Sequence, residues 1–439
     1  MQPGLATVAD VVAPVIRAFI GADPPFAFRF WDGSEVGPGT AAATGAATVV
    51  VHGPEAIRRI LFAPNELGLG RAYVAGELDI EGDVYAALDL RAYVAARDQR
   101  ARVALDVRGW GEVVRAARRL GILGLPLRPP PEEARLHGRR HSKERDAAAV
   151  AHHYDAGNDF YRLVLGPTLT YSCAYFASED QPLDDAQEHK HDLVCRKLGL
   201  RPGMRLLDVG CGWGTMVLHA ATHHDVHAVG VTLSRQQADL AAARVADAGL
   251  TGRVQIRYQD YRDIADGPYD AISSIGMFEH VGAARLSEYF QQLFTLLRPH
   301  GRLLNHAISR PPGDAHPDRH SFIERYVFPD GELQEVGALV SGMQANGFEV
   351  RDVQSLREHY ALTLRHWVAN LDADWEKAQQ FAGPARARVW RLYMAASALN
   401  FEAGRANLHQ VLGVKVDDAG GSGVPLTRHE LMQGAVSVR

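Results

Sequence analysis

LLDVGCGWGT, residues 206–215, is the stretch that decides the fold. It reads as a short apolar strand running through Asp208, after which Gly210, Gly212 and Gly214 let the backbone turn tightly into a helix. Glycines in this position let main-chain N–H groups approach a ligand closely. Outward from the loop, β-rich runs recur at Arg205–Val209, His227–Val231, Gln255–Tyr258, Tyr269–Ile275 and Arg302–Ile308, with helical patterns between most of them. Strand alternating with helix predicts an α/β fold with a doubly wound, mostly parallel sheet. Extended runs near Phe348–Val353 and Val411–Lys415 bring the sheet to seven strands, and Ala361–Gly404 between them is strongly helical.

The rest of the chain divides around this core. Residues 1–95 predict a small α+β accessory domain, with a helical pattern from Val8 to Ile20 and strands at Phe26–Trp31 and Ala47–Val51. The run GLGRAYVAGELDIEGD (68–83) is turn-rich, and the alternation in GELDIEG reads as a strand. Residues 96–147 form a basic linker, 148–420 hold the α/β domain, and 421–439 read as a loosely ordered tail.

The 439 residues carry 47 Lys/Arg against 52 Asp/Glu, a net charge of −5, which excludes a generic polyanion binder. The average hides an asymmetry: between Arg97 and Arg145 stand 13 Lys/Arg and 6 Asp/Glu, leaving −12 on the remainder. Apolar Trp110, Leu120, Ile122, Leu123 and Leu125 lie among these arginines. Two readings stand side by side, a solvated linker and a segment that lies on an anionic membrane surface. Cys173, Cys195 and Cys211 are too few and too scattered for a disulfide framework. The opening MQPGLATVAD lacks a basic stretch followed by an apolar one, and no apolar run reaches the length of a membrane span. The expected location is cytoplasmic, and at the inner face of the membrane on the second of those readings.

The glycine spacing favours S-adenosylmethionine over a nicotinamide dinucleotide. An NAD site also wants a carboxylate at the end of the second strand, where this chain has Val231-Thr232-Leu233-Ser234. Thr232, Ser234 and Gln237 are polar substitutes there. Asp260-Tyr261-Arg262 follows the third strand, where an adenine ring would be held. No metal is expected: His189 and His191 do not share a helix face, and His316 and His320 lie in a Pro/Asp-rich loop.

Further blocks accompany the loop: HYDAGNDFY (153–161), TYSCAYF (170–176), VGVTLSRQQ (229–237), QDYRD (259–263), SIGMFEHVG (274–282), LLNHAIS (303–309), RYVFPDGEL (325–333) and HYALTLRHW (359–367). Together, over roughly residues 148–411, the chain resembles the cyclopropane fatty acid synthases, including the mycolic acid cyclopropane synthases. The resemblance implies a class I S-adenosylmethionine-dependent methyltransferase fold with helical lid insertions. It implies methyl transfer to a cis double bond in a phospholipid acyl chain, with a bound bicarbonate as base. Carried over by position, the bicarbonate site would be Cys173, Glu279, His306, Ile308 and Tyr360. The cofactor site would be Tyr171, Ser172, Gly210, Gly212, Thr232, Leu233, Gln237, Tyr261 and Arg262. Asn305 stands before the histidine where an apolar residue is usual, which bears on the site's surroundings.

Such chemistry needs residues of these kinds. An alkene is a weak nucleophile, so it must be presented dry and close to the methyl donor. A carbocation follows, which apolar and aromatic walls protect from water; Tyr154, Tyr171, Tyr175 and Phe278 are candidates. Taken singly, Glu279 reads as the acid of a helix N-terminus and His306 as a strand-end histidine. Their placement after the fourth and fifth strands, on the ligand edge of the sheet, favours a site. Proton loss from the new methyl closes a cyclopropane; a hydride shift first gives a 10-methylene chain, precursor of a 10-methyl branch. The extended N-terminal region and Arg-rich composition resemble actinobacterial relatives, which tilts the reading to the methylene. The alternative is a methyltransferase for a small molecule or RNA, but the Asn/Asp-Pro-Pro-Tyr run of base N-methylation is missing after the fourth strand, so no nucleic-acid partner is expected. A non-catalytic lipid binder would not need Gly210, Glu279 and His306. A homodimer is left open.

Overall fold

The structure is a computed structural model that describes residues 6–20, 26–37, 47–88, 111, 115, 117–122, 124–154, 156–313 and 321–433. Much of the basic segment, including Trp110 and Leu123, lies outside the described residues. The chain divides into two compact units. One comprises residues 1–134, 320–326 and 383–399, the other 135–319, 327–382 and 400–439.

The first unit holds a four-stranded sheet of β1 (Ala27–Phe30), β2 (Glu35–Val36), β3 (Ala47–Val51) and β4 (Leu78–Gly82), in the order β2-β1-β3-β4. Only β1 and β3 run parallel. The helix Val8–Ile20 buries Val8, Val12 and Ile16, one residue per turn, beside Phe26, Phe30 and Val49. Leu392, from the returning segment 383–399, packs on the same core, and the Arg388 guanidinium reaches Asp79 at 2.7 Å and lies 5.1 Å above the Tyr73 ring. The run expected to be turn-rich is half helix, Glu66–Val74, before β4 begins. Asn65 caps it, its side chain accepting from Leu67 N and Gly68 N at 3.1 and 3.3 Å. Gly70 is there for proximity: a Cβ on it would come within 2.3 Å of the Phe322 ring.

The second unit holds the predicted seven-stranded sheet: β5 (Arg205–Val209), β6 (His227–Thr232), β7 (Val254–Tyr258), β8 (Tyr269–Ile275), β9 (Leu297–Ser309), β10 (Glu349–Ser355) and β11 (Asn407–Val414). Their order is β10-β11-β9-β8-β5-β6-β7; five neighbouring strands are parallel and β11 alone runs against its neighbours. Strand order reverses between β5 and β8, and in such sheets the ligand crevice opens there, beyond the strands' carboxyl ends. Alternation sorts side chains to two faces. Leu206 and Leu304 enter a core with Val194, Leu198 and Met216 on one face. Leu207 and Leu303 meet Phe278, Tyr289 and Phe290 on the other. Helices Arg357–Ala373, Trp375–Ala382 and Pro384–Glu402 fill the stretch between β10 and β11. β11 starts four residues earlier than expected, because its antiparallel ladder with β9 runs unbroken from Asn407↔Ser309 to Val414↔Arg302. Near the end of the chain Arg428–Gln433 is helical, with Leu431 buried.

Candidate active site

Gly210 and Gly212 follow β5, Thr232, Leu233 and Gln237 follow β6, Tyr261 and Arg262 follow β7 and Glu279 follows β8, whereas His306 and Ile308 stand on β9 itself, Tyr171, Ser172 and Cys173 precede β5, and Tyr360 lies in the helix after β10. After β5, Gly210 and Gly212 adopt φ values of +80° and +54°, which favour glycine. The N–H groups of Gly210 and Cys211 both donate to Val231 O, at 3.0 and 2.9 Å, clamping the loop onto β6. A Cβ on Gly212 would find nothing nearer than Gln237 Nε2 at 4.0 Å, so open space lies above the loop. After β6, Thr232 Oγ1 donates to Gln237 Oε1 at 2.9 Å, while Ser234 caps the helix Arg235–Asp247 by accepting from Gln237 N at 3.3 Å. Leu233 lies between them, half-buried. Gln237 also meets the hydroxyl of Tyr154, whose burial pushes it up to about 12.

Tyr171 stacks on Trp367 with ring centroids 5.3 Å apart and touches His153, Tyr154 and Tyr161 at 5.4, 6.2 and 5.9 Å. Trp213, from the glycine loop, joins the same group against Tyr161 at 4.9 Å. The beginning of this domain and its glycine loop thus share one aromatic wall. Tyr175 instead faces His359, and Phe278 packs into the core against Tyr289 and Phe290. Tyr261 is buried after β7, but the Arg262 guanidinium beside it is engaged by Asp260 at 2.6 Å and Asp146 at 3.1 Å. Those carboxylates hold it in its charged form.

After β8, Glu279 sits one turn beyond Ile275 in the helix Phe278–Val281, and its Oε1 accepts from Ile308 N at 2.7 Å. Burial pushes the carboxyl up to about 7, only partly opposed by that N–H. His306, on β9, pairs with Ile275 on one side and Gln410 on the other. Its Nδ1 lies 3.2 Å from Gln410 Nε2; the amide donates, so the ring proton sits on Nε2. Burial holds His306 well below the usual range, hence neutral. Neither Glu279 Oε2 nor His306 Nε2 has a hydrogen-bond partner among the described residues. Two orphaned, fully desolvated polar atoms, one on the turn after β8 and one on the adjacent β9, lack partners from the protein, and while Glu279 keeps its proton both can donate to a small oxyanion. Cys173 is buried, its Sγ 3.1 Å from Ala174 O and 3.7 Å from Leu356 O, and its thiol is pushed far up by desolvation and so kept protonated. Tyr360 is buried on Arg357–Ala373 against Phe401 and Trp367, at 4.7 and 6.0 Å.

Two residues here escaped sequence reasoning. Lys190 is 1% exposed, and its ammonium donates to Ser172 Oγ at 3.1 Å. Its charge is felt by Asp208, Cys173 and His306, and burial brings it down to about 8. Asp208 itself accepts from Ser273 Oγ at 2.6 Å and is pushed up to about 6 by burial. Gln410, the second, is recognisable only through the β9–β11 register. Asn305 faces away from His306: its Nδ2 donates to Tyr289 Oη at 3.2 Å, on the opposite side of the sheet. Replacing Asn305 by leucine is therefore expected to leave turnover within about twofold and stability within about 1–2 kcal/mol, because Tyr289 keeps its bond to Ser274 at 2.6 Å. A chemical denaturation curve and a rate measurement check it.

The end of the basic segment is less free than its composition suggests. Arg140 and Arg145 pair with Asp330, Arg140 also with Glu332, and Lys143 with Asp263 at 2.6 Å. Among the described residues no helix is long and apolar enough to cross a membrane.

Comparison with known proteins gives the family. The family model described as mycolic acid cyclopropane synthetase matches residues 141–411. A probable fatty acid methyltransferase of Mycobacterium tuberculosis is 43% identical over 92% of this chain and 94% of its own. One from Pseudomonas putida is 39% identical over 93% and 96%. The crystal structure of mycolic acid cyclopropane synthase CmaA1, complexed with SAH and CTAB, superposes with a TM-score of 0.58 at 37% identity, covering 61% of this chain and 97% of that one. The chain belongs to the mycolic acid cyclopropane synthetase family, S-adenosylmethionine-dependent methyltransferases that methylate or cyclopropanate fatty acyl chains.

Proposed function

We propose that this enzyme methylates a cis double bond of an unsaturated acyl chain carried on a phospholipid, giving a methylene product in preference to a cyclopropane. The observation that carries the reading is the pair of orphaned buried atoms, Glu279 Oε2 and His306 Nε2, on the turn after β8 and on the neighbouring strand β9. S-adenosylmethionine, when bound over Gly210 and Gly212 and against Thr232, Leu233, Gln237, Tyr171, Ser172, Tyr261 and Arg262, supplies the electrophilic methyl. Bicarbonate, when held among Glu279, His306, Ile308, Cys173 and Tyr360, would supply the base for the departing proton.

The chain's own residues do the rest. The wall of Tyr154, Tyr161, Tyr171, Trp213 and Trp367 excludes water while the alkene forms its bond to the methyl, and its π-faces lower the cost of the positive charge left on the acyl chain, by about 1–2 kcal/mol each when desolvated. Glu279 Oε2 gains or releases a proton near pH 7, and His306 offers an N–H from Nε2. A neutral histidine beside a half-ionised acid keeps the pocket's charge low enough to accept one anion.

The methylene product is favoured by the two relatives that also span the N-terminal unit: both are described as fatty acid methyltransferases rather than cyclopropane synthases. The remaining arginines of the basic segment favour docking on anionic lipid, at about 1 kcal/mol per basic residue near such a surface. Vesicles of dioleoyl phosphatidylglycerol, incubated with S-adenosylmethionine at low and high salt, test all of this by mass spectrometry. The expected product is an acyl chain heavier by one CH2 that ozone cleaves at its new double bond, formed more slowly at high salt. An ozone-resistant product alone would mean cyclopropanation, and turnover blind to salt would remove the membrane role of the basic segment.

A further inference from the structure

We infer that helices Leu183–Leu198 and Thr215–His224 carry a site for a divalent transition-metal ion of the zinc or nickel type, with Glu188, His219 and His223 as its ligands. His219 and His223 are one turn apart and share a helix face, their rings 4.5 Å apart. Glu188 faces them from the neighbouring helix, and one ligand atom from each of the three lies within 4.8 Å of the others. That is the spread of donors around one small cation, and two imidazoles with a carboxylate suit zinc or nickel rather than magnesium. The three line an open cleft of ≈ 340 Å³, which leaves room for water to complete the coordination.

The surroundings support a cation here. Asp185 and Asp192 lie along the cleft with Glu188, at helical spacing, so carboxylates share the cleft with the two imidazoles. His219 Nε2 has no hydrogen-bond partner among the described residues. Asp192 is committed to Arg196 and stands 3.8 Å from His224, which leaves Glu188 as the carboxylate for the ion. Cys195, His219 and His224 form a second, inner trio that shares His219. Cys195 is fully buried, and its thiol would have to lose a proton there, so the outer trio is the better assignment. The site is remote in chemistry from methyl transfer, but it would tie the helix before β5 to the helix after the glycine loop.

The test uses the full chain without a histidine tag, stripped with chelator and titrated calorimetrically with zinc chloride, nickel chloride and magnesium chloride. One saturable zinc or nickel site is expected, with no magnesium binding and a higher melting temperature in zinc. His223→Ala and Glu188→Gln, both exposed positions, should each weaken zinc binding by at least about tenfold with unchanged melting in its absence. Equal affinity in both variants and the wild type would overturn the proposal. So would the absence of a saturable site at millimolar zinc, or a site lost in Cys195→Ser and kept in Glu188→Gln.

Discussion

Glu279→Gln is expected to lower turnover by about 10²-fold or more while S-adenosylmethionine affinity stays within about twofold of the wild type. His306→Ala should do the same. Both residues meet the proposed base and neither belongs to the glycine loop, so cofactor binding is the control: its loss in either variant would move them into the cofactor site. The glutamate variant has a second signature. In the folded protein the carboxyl holds its proton up to about 7, against an ordinary 4.5. Between those values the unfolded chain is the state that has released the proton, so stability falls as pH rises. Ionised Glu279 then costs about 3 kcal/mol near pH 8 but under about 1 kcal/mol near pH 5. The amide carries no such cost. Glu279→Gln should therefore melt above the wild type, by a margin that widens from pH 5 to pH 8. A constant margin would mean that the carboxylate is solvated or paired when folded.

Gly210→Val is expected to abolish measurable cofactor binding. A side chain at φ +80° is strained by about 1–3 kcal/mol, and its Cβ would lie 2.4 Å from Met277 Cγ. Met277 must move to admit it, and it stands at the turn out of β8 that leads to Glu279. Gly212→Ala provides the contrast: at φ +54° it carries the same backbone strain, but its Cβ meets only open space, so melting should fall less than in Gly210→Val while affinity for S-adenosylmethionine falls. Calorimetric titration together with thermal melting separates the two. Wild-type affinity in Gly210→Val would show that the loop is no cradle.

Much of this was readable in advance. Strands β5, β6 and β8 are local, each a short, mostly apolar run followed by turn chemistry; β7 alternates, β9 begins five residues before the expected Arg302, and the glycine spacing needs no tertiary contact to be recognised. What stayed hidden depends on partners far away in sequence. Lys190 and Lys197, seven apart on one helix, look like two solvated lysines of a charged face. Yet Lys197 is fully buried and meets Asp352 at 2.9 Å, and Lys190 lies under Ser172. Gln410 acquires meaning only from its position opposite His306. The helix Glu66–Val74 looked like turns because its glycines are spent on close approach rather than on bends. Composition likewise overstated the free charge of the basic segment, since acids from much later in the chain neutralise Arg140, Lys143 and Arg145.

The first compact unit is built from three pieces of chain, the last of them residues 383–399. A ribosome delivers these in order, at about 5–20 residues per second. After residue 134 has emerged, Leu392 and Arg388 follow only after roughly 250 further residues, an interval on the order of tens of seconds at that pace. Until then the nascent unit has a core with one side open and Asp79 without its arginine. Synthesis therefore imposes a waiting period on the N-terminal unit, during which chaperone protection has most to offer, and the unit cannot be exchanged between relatives by a single cut.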